Sequence, residues 1–140
     1  MRILALDFGE RRIGVAATDP LGLMAQPLTV IERESLAQDI AKIGEIVRRR
    51  GAERIVLGLP LNMNGTEGPP AKRAKRFAAR LKRELGLEIE LWDERLTTVE
   101  AEQVLLAADR SRAERRRRKD EVAAAVILED YLAAKRRSGA

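Results

Sequence analysis

Three acidic spots stand where elements begin or end, in a chain with no histidine and no cysteine. Asp7 closes the apolar run Arg2-Ile3-Leu4-Ala5-Leu6. Asp93-Glu94 follows Glu88 to Trp92, and Asp120-Glu121 opens what reads as the last helix. A carboxylate at the tip of a core strand costs desolvation unless something pairs with it. Three such spots in a basic protein point to a site that holds a divalent metal through oxygen and acts on phosphate. Mg²⁺ takes oxygen ligands in octahedral geometry and keeps some of its waters. Two such ions can ready a water on one side of a phosphodiester and stabilise the leaving oxygen on the other. No histidine base is then required.

Composition narrows the alternatives. Without cysteine there are no disulfides and no thiolate chemistry. Without histidine there is no His-ligated zinc and no Ser-His-Asp triad. The 140 residues fit one domain, 1–140, with a core that must be aliphatic because aromatics are only 3%. A formal charge of +5 favours an anionic partner. The sequence shows no signal peptide or membrane span, so a cytoplasmic protein with no membrane partner is expected.

The elements that must position the acids read as follows. Residues 2–7 form an apolar strand, 12–18 an alternating one with Ile13, Val15 and Ala17 on one face, and Leu23 to Ile31 a weaker third. The turn residues Asp19-Pro20-Leu21-Gly22 and the short connections make these an antiparallel meander. Ser35-Leu36-Ala37-Gln38 is a capping box opening a helix with the stripe Leu36, Ile40, Ile43 and Val47, ended by Gly51. Residues 53–59 form a fourth strand and Asn62 to Pro70 a polar loop. A second helix carries Ala74, Phe77, Ala78, Leu81 and Leu85 on one face and ends at Gly86. Residues 88–92 form a fifth strand. Thr97-Thr98-Val99-Glu100 caps a third helix to about Ala108, and Asp120 leads the last one. Strands that return through helical crossovers lie parallel to the first. The fold expected is α/β: a mixed five-stranded sheet, its first three strands antiparallel, with helices on both faces.

In that sheet strands one, four and five point the same way. Asp7, the loop at 60–65 and Asp93-Glu94 then gather at the carboxyl edge, where open α/β sheets place ligands. Asp120 joins them if the last helix begins over this edge; its spacing to Ala123 and Ile127 puts it on the sheet-facing stripe. Each residue also has a plain structural reading. Asp7 fits a turn aspartate, Asp93-Glu94 suits the dipole of the helix at Thr97, and Asp120 suits an N-cap. Arg12 and Arg95 are phosphate clamps or structural partners of Asp7 or Glu94. Asn62 and Asn64 either donate to a nucleic-acid backbone or shape their loop. Lys72, Arg73, Lys75, Arg76, Arg80, Lys82 and Arg83 make the second helix a nucleic-acid track or a solvated face. The run Arg115, Arg116, Arg117, Arg118 and Lys119 reads as a mobile cationic arm on nucleic acid. Trp92 and Phe77 fall on inward faces and read as core.

Four segments, DFGERRIGVA at 7–16, GLPLNMNG at 58–65, DERLTT at 93–98 and KDEVAA at 119–124, resemble the signature segments of the YqgF family. The family is also called RuvX, or Holliday-junction-resolvase-like, and the similarity runs nearly end to end. The resemblance implies a ribonuclease H-like fold and a nuclease using Mg²⁺ or Mn²⁺. It also implies a role in trimming the 5′ end of precursor 16S ribosomal RNA. On this resemblance Asp7, Glu94 and Asp120 fall on the catalytic, metal-holding acids. The strand beside the first ends in Gly58-Leu59-Pro60, with no acid, so the second carboxylate must come from the next strand out. Glu94 reaches further and is preferred; Asp93 is the alternative.

The expected partner is nucleic acid, structured RNA ahead of branched DNA, bound by a monomer or a homodimer. Two other readings stay open. One is a Holliday-junction resolvase in DNA recombination and repair. The other is a non-catalytic ribosome-assembly or transcription factor that binds nucleic acid. A nucleotide-binding ATPase shares the strand–Asp-x-Gly–strand opening, but this chain is short for the two such domains those folds use.

Overall fold

The structure, a computed structural model, describes residues 1–94 and 112–138, with side chains in the last helix described from Arg118 onward. Five strands, β1 (Ile3–Phe8), β2 (Arg12–Thr18), β3 (Ala25–Glu32), β4 (Arg54–Leu59) and β5 (Glu88–Asp93), form one sheet in the order β3-β2-β1-β4-β5. β1 pairs antiparallel with β2, and β2 with β3. β4 pairs parallel with β1, and β5 with β4. The expected mixed sheet is therefore the observed one. β3 starts at Ala25 rather than Leu23. Leu23 and Met24 instead sit exposed beside the turn that Asp19 closes, its carboxylate accepting from the Leu23 amide at 2.8 Å.

Side-chain alternation builds two cores. Leu4, Leu6, Ile13, Val15, Ile55 and Leu57 face helices α1 (Leu36–Arg50) and α2 (Pro69–Leu85). Ile3, Ala5, Ala16 and Val56 face helix α3 (Arg112–Arg137), which buries Ala124, Ile127, Leu128 and Tyr131 against them. Each fully buried aliphatic side chain contributes about 1.5–3 kcal/mol. The α1 box forms as expected at its amino end: Ser35 accepts from the Gln38 amide. Gly51 and Gly86 close α1 and α2 in the left-handed conformation, φ 65° and 67°. Leu36 departs from the expected stripe; it is 38% exposed at the first residue of α1.

Two expectations are corrected at α3. Asp120 is not the helix start or its N-cap: the helix begins eight residues earlier, at Arg112. Arg115 to Lys119 are helical, not a mobile arm. No glycine or proline interrupts residues 112–120, and Arg, Glu, Lys and Ala all favour helix, so local propensity carries the helix through the charged run. The helix expected at 97–108, with Thr97 and Thr98, lies outside the described residues, as does Arg95.

Candidate active site

Asp7 is the fifth residue of β1, on the face that carries Ile3 and Ala5 and that α3 covers. Both strands flanking it carry glycine at its level. On β2 the residue paired with Asp7 is Gly14. A Cβ there would stand 2.7 Å from the carbonyl carbon of Asp120 and closer still to its oxygen. The missing side chain is what lets the α3 backbone settle on the sheet and deliver Asp120 beside Asp7. On β4 the residue after the Leu57–Leu6 pair is Gly58. A Cβ there would meet Ile127 Cδ1 at 2.8 Å and Glu94 Cδ at 3.0 Å, with a Glu94 carboxylate oxygen nearer still. The Glu94 carboxyl therefore lies over β4 in the space Gly58 vacates.

The two acids of the pair lie on different faces of the sheet. Ile89 and Leu91 of β5 pack toward α1 and α2, so alternation sends Asp93 to that face. Trp92 packs toward α3, and Glu94, two residues on, reaches over Gly58 on the same side. Asp7, Glu94 and Asp120 line one pocket of about 240 Å³ with Lys119, Ala123, Val126 and Ile127. Asp7 and Glu94 also line an adjoining pocket with Phe8, Gly9, Glu10, Pro60, Pro70 and Arg73. Both open at the carboxyl ends of β1 and β4. Asp93 lines neither pocket.

Arg12 meets a different acid from the two expected. Its Nε donates to Asp120 Oδ2 at 2.5 Å, 108 residues away, rather than pairing with Asp7 or Glu94. The hydrogen bond and the charge of Asp120 raise the Arg12 pKa, so the guanidinium is held all the more firmly charged. The pair is a quarter to a third exposed, at 29% and 24%. Among the described residues no three acids stand close enough to cage one ion, and the Arg12 contact claims one Asp120 oxygen. The donor set still suits a hard cation: three carboxylates at a sheet edge, with a cradle over Gly58 that keeps room for the second.

The remaining expected residues divide. Asn62 and Asn64 spend their side chains inside their own loop. Asn62 donates to Thr66 Oγ1 at 2.9 Å, and Asn64 accepts from the Thr66 amide and hydroxyl at 3.1 and 2.6 Å. Neither lines the cleft. Lys75 is tied to Glu67 at 2.6 Å, and Lys72 is exposed. Arg118 lies 3.5 Å from Glu121. The side chains of Arg115, Arg116 and Arg117 lie outside the described residues. Phe77 is buried, and Trp92 packs edge-on against Tyr131 at 5.5 Å, as core residues should.

Sequence reasoning missed a brace behind Asp7. Arg33 donates to the carbonyls of Gly9 and Glu10 at 2.9 and 3.2 Å, holding the turn that follows β1. The buried Asp39 anchors that arginine, at 3.4 Å, and accepts from the Glu34 amide at 3.0 Å. By sequence Asp39 is an ordinary first-turn acid, so nothing marked it for burial.

A family model described as RuvX: Holliday junction resolvase matches residues 1–134. The chain belongs to the RuvX family. A relative from Symbiobacterium thermophilum, named "Putative pre-16S rRNA nuclease", is 56% identical over 96% of this chain and 94% of its own length. One of the same name from Moorella thermoacetica is 52% identical over 99% of both chains. Among solved structures, Thermus thermophilus RuvC in complex with a Holliday junction superposes with a TM-score of 0.61 at 16% identity, over 96% of each chain. The fowlpox virus resolvase does so at 0.59 and 10% identity, over 96% of this chain and 99% of that one. At such identities the likeness concerns the fold, and it bears out the ribonuclease H-like architecture for this RuvX chain.

Proposed function

We infer that this protein is a divalent-metal-dependent nuclease that hydrolyses phosphodiester bonds, with the 5′ end of precursor 16S rRNA as its substrate. The observation that carries the reading is the meeting of Asp7, Glu94 and Asp120, from three distant stretches of chain, in one cleft at the carboxyl edge of the sheet. Its relatives' names supply the substrate class. Such a protein works in the cytoplasm. Among the described residues no helix is long and apolar enough to cross a membrane.

Asp7, Glu94 and Asp120 would hold Mg²⁺ or Mn²⁺ there once Arg12 yields its Asp120 oxygen and the carboxyls draw together. Bound among them, the cation supplies Lewis-acid polarisation of the phosphate and a more acidic water. The chain's own groups do the rest. Lys119 and Arg73, at opposite ends of the cleft, draw the phosphate backbone across the acids and balance charge that grows in the transition state. Arg12 holds Asp120 oriented and must release an oxygen when a cation takes it. Gly14 and Gly58 fix where the second and third carboxylates stand.

The test is a substrate panel: precursor 16S rRNA and a four-way DNA junction, with and without Mn²⁺. Asp7→Asn should lose more than about 100-fold in cleavage, since even an outer-shell partner of a metal costs 10–100-fold. It should keep its fold and its binding. A wild-type protein that binds RNA but cuts nothing with any divalent ion would refute the reading and favour the assembly-factor one. Because the family description names a resolvase, preference for the junction is a real rival outcome. It would require a symmetric dimer to cut two strands.

A further inference from the structure

The cleft does not end at the acids. Phe8 and Arg73 line it and also line a larger pocket, of about 420 Å³, between α1 and α2 on the opposite face of the sheet. That volume lies in the range of about 300–1,000 Å³ typical of small-ligand sites. Its floor includes Leu36 and Phe77, and its walls Arg33, Arg76, Arg80 and Arg83; no acid lines it. Phe8 stacks on Phe77 with ring centres 4.1 Å apart, and the Arg33 guanidinium lies 4.3 Å over the Phe8 ring. The floor is thus already built and rigid.

The cations around it are not equally committed. Arg33 holds the β1 turn, and Arg80 pairs with Glu84 at 2.7 Å. Arg76 and Arg83 are exposed and make no ion pair among the described residues. Arg73, Arg76, Arg80 and Arg83 recur at helical spacing, so one stripe of α2 runs from the cleft into the pocket over about 15 Å. The apolar floor and the guanidinium groups of Arg76 and Arg83, unpaired among the described residues, together match a molecule with a flat apolar part and a phosphate. Guanidinium groups both pair with phosphate and stack on bases. A duplex is too wide to turn around the sheet edge into such a pocket; a single strand is not.

We propose that this pocket seats an unpaired nucleotide of the RNA substrate, adjacent to the segment held at the acids. The base lies against Leu36 and Phe77, and its phosphates lie on Arg76 and Arg83. The proposal rests on the nuclease reading and adds a requirement: single-stranded RNA must flank the scissile bond on one side.

Binding of a short fluorescent single-stranded oligoribonucleotide, measured in EDTA so that nothing is cut, tests it apart from catalysis. The double variant Arg76→Gln/Arg83→Gln should reduce the slope of log affinity against log salt by about 1.4, at about 0.7 per phosphate contact on single strands. Between 50 and 200 mM salt the wild type should then lose about sevenfold more affinity than the variant. Leu36→Ala, which removes apolar contact without adding charge, should weaken binding of the intact oligomer but not of one made abasic at the seated position. An oligomer carrying 4-thiouridine should crosslink the wild type within 33–36 and 73–83, which decides the matter even if a variant folds poorly. Unchanged affinity and slope in the double variant, or crosslinks confined elsewhere, would overturn the proposal. Equal binding of abasic and intact oligomers would overturn the base seat. Absence of cleavage by the wild type with Mg²⁺ or Mn²⁺ would sink the nuclease reading instead, and leaves these binding results independently readable.

Discussion

Gly58→Ala separates the site from the fold. The added Cβ would stand 2.8 Å from Ile127 Cδ1 and 3.0 Å from Glu94 Cδ, against about 3.5–4.0 Å for an unstrained carbon contact. Overfilling of this kind costs about 1–3 kcal/mol. Loss of glycine's unfolded-state freedom returns about 0.4–1 kcal/mol, since Gly58 has no positive φ to forfeit. Glu94 ends in a flexible carboxyl that swings aside, so the cost should fall at the low end. A melting point lowered by no more than about 5 °C follows for a chain of this size. The function suffers more. Once Glu94 is displaced, the cation loses one carboxylate of three, and divalent affinity should fall at least 10–100-fold, as it does when a supporting group is lost. Mn²⁺ titration by calorimetry and the Mn²⁺ dependence of cleavage both read this. Gly14→Ala is the contrast: its Cβ meets backbone, 2.7 Å from the Asp120 carbonyl carbon, and α3 cannot swing aside as a side chain does. It should lose stability and activity together. If Gly58→Ala binds Mn²⁺ within twofold of wild type, Glu94 is not a ligand and the three-acid site is wrong.

Three further outcomes follow from named contacts. Arg12→Gln frees Asp120, so Mn²⁺ should bind more tightly, by calorimetry, while the melting point drops slightly. Tyr131 donates to Glu90 at 2.6 Å and accepts from Arg54 at 2.8 Å; burial first, then the Glu90 hydrogen bond, raise its pKa. A raised folded pKa means stability present below about pH 10 and lost as pH rises through the folded value. Tyr131→Phe should flatten that alkaline loss in urea titrations and cost about 1–2 kcal/mol at neutral pH. Among the described residues one buried Asp130 oxygen has no hydrogen-bond partner, and burial, then Glu129, raises the Asp130 pKa. Its charge therefore weakens the fold above its folded pKa and not below about pH 3.9. Asp130→Asn should be the more stable protein at pH 7 and gain nothing at pH 3.5, by thermal melts at the two pH values.

The sheet was legible because its signals are local and agree. Apolar runs, turn residues and capping chemistry mark five strands and two helices, and handedness then leaves one order of strands. The three acids of the candidate site were legible as a group, but their surroundings were not. Asp120 reads as a cap because acids favour helix starts, yet the good helix formers of 112–119 push the start back and leave it inside. Arg12 lies beside Asp7 in sequence but reaches for Asp120, since tertiary packing of α3 on Gly14, not chain proximity, sets its neighbours. Asn62 and Asn64 both bond Thr66 of their own loop, a local hydrogen-bond economy that a polar loop offers as a rival to ligand binding.

Gly14 and Gly58 interrupt otherwise aliphatic strands, and a glycine inside a strand weakens it unless something approaches closely. Both sit level with Asp7, one on each neighbouring strand. The strand beside the first, β4, ends without an acid. Its glycine instead makes room for an acid from the strand beyond: a side chain on β4 would fill the space that Glu94 uses, whereas none lets the longer residue reach across. The absence of a side chain at Gly58 on β4 and the reach of Glu94 across it thus go together, and the alternation of β5 sends Asp93 to the other face.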